Sequence, residues 1–282
     1  MKFLGVRGST PSPGEATSGY GGNTSCVGVL PDDAPPMVLD LGTGLRRLSE
    51  GPMRAIALVT HLHFDHVQGL PFCAGLLHHG AQIDIYGPPQ EQGSLRDAFE
   101  QFVRPPLFPV QLDHLPGEYR FHEVDEERFE VAPGVEVEAR RVPHPGPTNG
   151  YRIECDGASL AYIPDHQEPT DPLDVAPGVL ELAREVDLLI HDAQYTPEEF
   201  ARKSDWGHCT VEFAVGVALQ ARARRLALFH HDPSHSDGLI DVMVSGAREC
   251  AARFGSLDVF AAREGAEVAV AGAATERALR SA

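Results

Sequence analysis

The stretch ALVTHLHFDHVQGLPF, residues 57–72, joins an apolar segment to an unusual density of histidine and aspartate. Its first residues are those of a buried strand, and His61, His63, Asp65 and His66 then follow within six positions. Side chains alternate along an extended chain, so His61 and His63 point to the same side. We expect the chain to turn here and a helix to open with Asp65 and His66. This arrangement aims all four polar groups at one volume.

Imidazole nitrogens and carboxylate oxygens are the ligands that suit zinc and similar divalent ions. The alternative is a polar loop whose histidines are only solvated. Four ligand groups in the register HxHxDH favour a metal site over that alternative.

The composition limits what kind of protein carries this site. A chain of 282 residues with 42% hydrophobic residues fits one large domain or two small ones. No long linker divides it, so we predict a single domain over residues 1–282. No apolar run is long enough to span a bilayer, and the first residues lack the apolar region of a secretory signal. Five well-separated cysteines without a CxxC pair indicate reduced thiols, so we expect a cytoplasmic protein.

Short strand-like apolar runs dominate the first half of the chain, and helical stretches alternate with strands in the second half. The clearest helices are predicted over 210–224 and 239–254, with a weaker one over 91–102. This order predicts an α/β fold in which helices cover mixed sheets.

The HxHxDH segment resembles the signature of the metallo-β-lactamase superfamily. The rest of that pattern follows at the ends of later strand-like runs: RRVPHPG contains His144, LAYIPDHQ contains Asp165, and LALFHHDP contains His230. The upstream segment VLDLGTG contains Asp40. The resemblance implies an αββα sandwich, two mixed sheets flanked by helices, that binds two divalent metal ions.

The resemblance also implies how the ligands divide. One ion is held by His61, His63 and His144, the second by Asp65, His66 and His230, and Asp165 bridges the two. Asp40 is expected behind the ligands, and His231 is expected to line the pocket. Zinc is the default metal for this ligand set, and manganese and iron stay open.

Two further motifs narrow the resemblance to the ribonuclease Z-like branch of the superfamily. They read HDAQ (191–194) and GHCT (207–210), where the branch carries HEAT-like and GHST-like motifs. By this resemblance His208 donates a proton to the leaving oxygen, Asp192 orients it, and Asp65 completes the catalytic set. The alternative for His208 is a structural position just before a helix that opens at Thr210.

The predicted reaction is hydrolysis of a phosphodiester at a pair of metal ions. Enzymes of this branch that process tRNA 3′ ends carry a long arm between the ligands equivalent to His144 and Asp165, and this chain has only about two strands and a turn there. The formal charge is −18, from 41 acidic and 23 basic residues, which disfavours a long nucleic acid. We therefore expect a small anionic substrate such as a cyclic nucleotide, no membrane partner, and the homodimer that the resemblance implies.

Other functions stay open at this point. A tRNA 3′-processing endoribonuclease, an arylsulfatase or a lactonase would use a similar metal core. A metal-bearing scaffold that binds a nucleotide as a sensor is the alternative that is not an enzyme. His231, His235 and the loop over residues 20–25 are further candidates for contact with substrate.

Overall fold

The computed structural model describes residues 1–31, 34–49 and 51–272, in which thirteen strands form two mixed sheets. The last ten residues of the predicted domain, 273–282, lie outside the described residues. The first sheet has six strands that lie side by side in chain order. They are β1 (Lys2–Gly5), β2 (Cys26–Val29), β3 (Met37–Leu39), β4 (Arg54–Leu58), β5 (Gln82–Gly87) and β6 (Glu118–Glu123). Strands β3 to β6 are parallel, β2 pairs antiparallel with β3, and β1 pairs antiparallel with β2.

The second sheet has seven strands, again in chain order. They are β7 (Arg128–Ala132), β8 (Val135–Arg141), β9 (Asn149–Cys155), β10 (Ala158–Ile163), β11 (Leu188–Asp192), β12 (Arg225–Phe229) and β13 (Asp258–Ala261). Strands β7 to β10 form an antiparallel meander, and β10 to β13 are parallel. The β9–β10 turn is Asp156-Gly157, both with positive φ, as a two-residue hairpin turn requires.

Six α-helices lie in the described part of the chain. They are α1 (Phe64–Val67), α2 (Leu95–Phe102), α3 (Pro177–Ala183), α4 (Pro197–Lys203), α5 (Val211–Gln220) and α6 (Asp237–Phe254). The three predicted helices correspond to α2, α5 and α6, and they begin at Ser94, Thr210 and Ser236, whose hydroxyls accept backbone N–H groups. None of the described helices has the length and apolar character needed to cross a membrane.

Three apolar clusters show how the layers stack. One lies between the sheets and includes Leu58 and Phe3 of the first sheet and Tyr162 and Phe229 of the second. The other two lie on the outer faces: α2 packs on the first sheet, and α3, α5 and α6 pack on the second. Each sheet is therefore buried on both faces, and the predicted αββα sandwich is confirmed.

The helix expected to run on from Asp65 is much shorter in the structure. It ends at Val67, and two turns of 3-10 helix follow, over Leu70–Phe72 and Ala74–Leu76. Gly69 lies so close to the carbonyl oxygen of Gly42 that a Cβ would be 2.0 Å from it. Pro71 also lacks the N–H that a continuing helix needs. The break packs the segment tightly against the loop that follows β3.

Candidate metal centre

The predicted metal ligands converge at one edge of the sandwich, beyond the carboxyl ends of strands from both sheets. In the first sheet, β4 leads into the HxHxDH segment. In the second sheet, β8, β10 and β12 run in the same direction, so their carboxyl ends share one edge. The groups of side chains that could hold a metal ion there include all seven predicted ligands: His61, His63, Asp65, His66, His144, Asp165 and His230.

The first set of donor atoms is His61 Nε2, His63 Nδ1 and His144 Nε2. The His63 nitrogen is 2.9 Å from that of His61 and 3.2 Å from that of His144. Asp165 Oδ2 completes the set at 3.8 Å from both His61 Nε2 and His144 Nε2. A tetrahedral zinc ion with ligands about 2.0–2.2 Å away has donors separated by roughly 3.3–3.6 Å, so these spacings suit one ion.

The second set is Asp65 Oδ2, His66 Nε2 and His230 Nε2. Asp65 Oδ2 is 3.1 Å from His66 Nε2 and 3.0 Å from His230 Nε2. Asp165 Oδ1 is 3.1 Å from His66 Nε2 and 3.4 Å from His230 Nε2. The two oxygens of Asp165 thus face different donor sets, which is the geometry of a bridging carboxylate.

Hydrogen bonds behind the donors fix which nitrogen of three rings carries hydrogen. His66 donates through Nδ1 to Asp40 Oδ2, His144 to the carbonyl oxygen of Gly207, and His230 to Gln194 Oε1, each over 2.7 Å. Because these oxygens only accept, each of the three rings, in its neutral form, turns the lone pair of Nε2 toward the donor sets.

Two buried atoms at the centre have no hydrogen-bond partner, His66 Nε2 and Asp165 Oδ1. Lone pairs and carboxylate oxygens held about 3 Å apart repel one another unless a cation or a proton lies between them. Asp40, Asp65 and Asp165 are also buried, and within the described residues their ion pairs are with histidines alone, not with lysine or arginine. The donor set therefore fits divalent cations.

The pKa values of His61, His144 and Asp65 favour the forms that bind metal, whereas that of His66 does not. Burial lowers the pKa of His61 well below its ordinary value and that of His144 to about 4, so both rings are neutral near pH 7. Burial opposes ionisation of Asp65, but His66 and His230 outweigh it and hold its pKa well below the ordinary value. Burial also disfavours charge on His66, yet three nearby carboxylates raise its pKa, so a metal ion competes with a proton at this ring.

Asp40 lies behind the ligands, where the sequence predicted it. Besides His66, it accepts hydrogen bonds from the Thr60 backbone N–H (2.7 Å) and the Tyr162 hydroxyl (2.9 Å). The side chain is fully buried, and the residue has a φ of 57° in the left-handed region. Asp40 thereby ties the loop that follows β4 to β10 of the other sheet and fixes the ring of His66.

His208 and Asp192 form the pair that the two branch motifs predicted. His208 Nδ1 is 3.0 Å from Asp192 Oδ2 and 3.7 Å from Asp165 Oδ2, so it borders the first donor set. Backbone N–H groups of His166 and Gln194 hold the Asp192 carboxylate, each at 3.0 Å. Burial disfavours the charged form of His208, but Asp192 outweighs it and raises the pKa. A proton on this ring near neutral pH is suited to general-acid chemistry.

Apart from Asp40, sequence reasoning missed the residues that orient the ligands, although two of them stand in the motifs. Gln194 closes HDAQ, and Gly207 opens GHCT. Gly207 has a φ of 91°, and a Cβ there would be 2.6 Å from the His144 ring, so the motif position requires glycine. The backbone N–H of Ser9 also donates to Asp65 Oδ2 over 2.8 Å, which no local pattern indicated.

His231 was expected to line the pocket, but the structure turns its side chain away from the donors. Its Nε2 faces the carbonyl oxygen of Ala262 at 2.9 Å, because His230 takes a left-handed φ of 59° and its neighbour points away. His235 likewise contacts Glu199, at 2.9 Å. In the 20–25 loop, Asn23 donates to Glu264. These contacts hold loops together.

Comparison with known proteins agrees with this geometry. The family model described as "Beta-lactamase superfamily domain" matches residues 39–231. Ribonuclease Z of Natronomonas pharaonis is 28% identical, over 82% of this chain and 86% of that protein. Among solved structures, human tRNase Z, short form, has a TM-score of 0.66 at 23% identity and covers 96% of this chain and 98% of its own. Zinc-bound PqqB from Methylobacterium extorquens has a TM-score of 0.66 at 17% identity, covering 95% and 99%.

The chain belongs to the β-lactamase superfamily, and its fold implies a metal-dependent hydrolase that binds divalent metal ions. Its similarity to proteins named ribonuclease Z agrees with the branch that the HDAQ and GHCT motifs predicted.

The expectation of a small substrate, with long nucleic acid disfavoured, is wrong. The names of the relatives identify enzymes that act on RNA and tRNA. Net charge is a sum over the whole molecule, whereas phosphate binding depends on the local field. At the edge described here that field includes whatever cations the donors hold. The β9–β10 hairpin between His144 and Asp165 is as short as predicted, so its length did not justify excluding RNA.

Proposed function

We propose that the protein is a ribonuclease Z-type endoribonuclease that hydrolyses one phosphodiester bond of an RNA substrate, with a tRNA precursor as the first candidate. One observation carries the proposal: His208 and Asp192 lie directly beside the first donor set, with His208 Nδ1 3.7 Å from Asp165 Oδ2. The similarity to ribonuclease Z over 82% of the chain supports RNA as the substrate class, in preference to a cyclic nucleotide.

We further propose that both ions are zinc. Five imidazoles and two carboxylates are a donor set typical of zinc, and the donor spacings suit its short bonds. When bound, two such ions would neutralise charge on phosphate oxygens and lower the pKa of a water molecule. The donors of both sets would hold them, with Asp165 shared.

The residues around the donors contribute the rest of the chemistry. When water adds to phosphorus and the P–O bond to the leaving nucleotide breaks, the departing oxygen needs a proton. Nδ1 of His208 faces Asp192, so Nε2 is the nitrogen left to deliver that proton. Asp192 keeps the ring in this orientation and stabilises its charged form.

The proposal is tested with purified, zinc-loaded protein and an in vitro transcript of a pre-tRNA that carries a 3′ trailer. We expect one main cut, mapped at single-nucleotide resolution, and loss of cleavage after chelation with recovery on adding zinc. The His63→Ala variant should be inactive, while His114→Ala, an exposed histidine far from the donors in sequence, should cleave normally.

Failure to cut any structured RNA, with turnover of cyclic nucleotides or lactones by the same sample, would contradict the proposal. Metal content measured on that sample separates a wrong substrate from an unloaded enzyme.

A further inference from the structure

Exposed aromatic side chains are concentrated on the segments that carry metal donors or the proposed general acid His208. Within the described residues, the highly exposed phenylalanines and tryptophans are Phe64, Phe72, Trp206 and Phe254. Three of the four lie on the segment that follows β4 or on the one that leads to His208. Scattered exposed apolar residues are ordinary on protein surfaces, but clustering around a site indicates contact with a ligand.

Trp206 is the most informative of these residues. It is the only tryptophan of the chain, and 61% of it is exposed. The next residue, Gly207, accepts the hydrogen bond that orients His144, and His208 follows. Consecutive Cα atoms are about 3.8 Å apart, so Trp206 lies within roughly 8 Å of the general acid along the backbone.

The indole ring is held in place although it is exposed. The Nζ of Lys203 lies 5.4 Å from the Trp206 ring and 4.6 Å from the ring of Tyr195. Asp232, two residues after the ligand His230, pairs with the same Nζ at 3.1 Å. A cation near the face of an aromatic ring attracts it and restricts its orientation. The rest of the ring surface is open to solvent beside the site.

Stabilising the fold does not account for this arrangement. An indole that is mostly in water contributes little burial energy, whereas a fixed, open aromatic surface is what proteins use to stack unpaired nucleobases.

Building on the proposed function, we propose that Trp206 is a base-stacking residue for the nucleotide that keeps the leaving oxygen. Its ring receives the nucleobase of that nucleotide, so the substrate must be unpaired at that position. Every base has a flat face, and this contact therefore selects single-stranded RNA without selecting its sequence.

The first experiment uses Trp206 as its own reporter. Short oligoribonucleotides are titrated into the zinc-loaded His208→Ala variant, which keeps the RNA intact, while the fluorescence of the single tryptophan is followed. We expect quenching by an RNA with a normal base at the proposed position. A matched RNA that is abasic at that nucleotide should quench far less and bind about tenfold more weakly. Equal quenching and affinity for the two RNAs overturns the proposal.

The second experiment is a thermodynamic cycle in which substitutions at Trp206 are measured with both normal and abasic RNA. Trp206→Ala should raise KM for normal RNA about tenfold, with little further loss on abasic RNA, and Trp206→Phe should recover most of the affinity. Phe254→Ala, which removes an even more exposed aromatic at the end of α6, should behave as the unchanged protein. If Trp206→Ala raises KM for normal and abasic RNA by the same factor, the residue does not stack on the base.

The two proposals fail separately. RNA cleavage by the unchanged protein without any difference between normal and abasic RNA leaves the ribonuclease function standing and overturns the stacking role. Base-dependent quenching without cleavage supports the stacking role and overturns the ribonuclease function. The abasic comparison needs no substitution at Trp206, so a misfolded Trp206→Ala variant does not prevent the test.

Discussion

The segment 61–66 and the segment 203–210 reach the same metal centre by different means. The first places four donors by local spacing alone, through an extended chain and one short helical turn. The second segment has no such run of closely spaced donors. Its role comes from contacts with distant residues: Gly207 orients His144, and His208 pairs with Asp192. Local spacing thus brings donor atoms together, and long-range hydrogen bonds decide which atom of each ring faces the centre.

The largest expected effect comes from the residue that joins the two donor sets. Asp165→Ala removes one donor from each set, and we expect loss of at least one bound ion per chain and a fall in turnover of about a thousandfold or more. The measurements are metal content per chain and the rate of RNA cleavage. Asp174→Ala, an exposed aspartate, is the matched control. Full metal content in the Asp165 variant would refute the bridging role.

His208→Ala tests the second segment without disturbing the first. We expect kcat for RNA to fall about 10²–10⁴-fold, because the leaving oxygen loses its proton donor. An ester with a p-nitrophenolate leaving group needs little protonation, so its hydrolysis should fall much less, with metal content unchanged. Equal losses on both substrates would mean that His208 acts through structure or metal binding.

Gln194→Ala removes the acceptor that orients His230. Substituting a residue that hydrogen-bonds a metal ligand typically weakens metal affinity by about 10–100-fold. We expect a loss of that size for one of the two ions. Competition with a chromogenic chelator measures it. Gln220→Ala, on the exposed end of α5, is the control. If zinc affinity is unchanged, the hydrogen bond to His230 does not matter for binding.

The smallest expected effects are on the free energy of unfolding, and they are tested by comparing alanine substitutions at two glycines. At Gly207, an added Cβ meets the His144 ring at 2.6 Å and the backbone φ is unfavourable, so Gly207→Ala should lower the free energy of unfolding by about 1–3 kcal/mol. At Gly216, inside α5, nothing lies within 4 Å of the added Cβ, and Gly216→Ala should raise that free energy by about 0.5–1 kcal/mol. Denaturant unfolding checks both, and effects of the same sign would contradict the assignment for Gly207.

The sequence predicted most of the fold because alternating apolar runs and helix caps such as Ser94 and Thr210 are local signals. The superfamily resemblance implied which side chains meet at the centre, because the rest of its pattern recurs just after later strands. Gly69 and Pro71 did carry the signal that α1 would be short, but the apolar residues around them outweighed it.

Other features had no local signal. The direction of His231 depends on the left-handed backbone of His230, and the partner of Asp65 is the backbone of Ser9, more than fifty residues away. The substrate class was misjudged because formal charge was summed over the whole chain. That sum says little about the field at one edge of a sandwich that gathers divalent cations.

The central claim is that seven side chains hold two cations, and anomalous diffraction from a crystal grown with zinc tests it directly. Data collected on both sides of the zinc absorption edge should give two strong peaks. One should lie between His61, His63 and His144, the other between Asp65, His66 and His230, with Asp165 touching both. No peak among these residues, or only peaks elsewhere on the surface, would contradict the account.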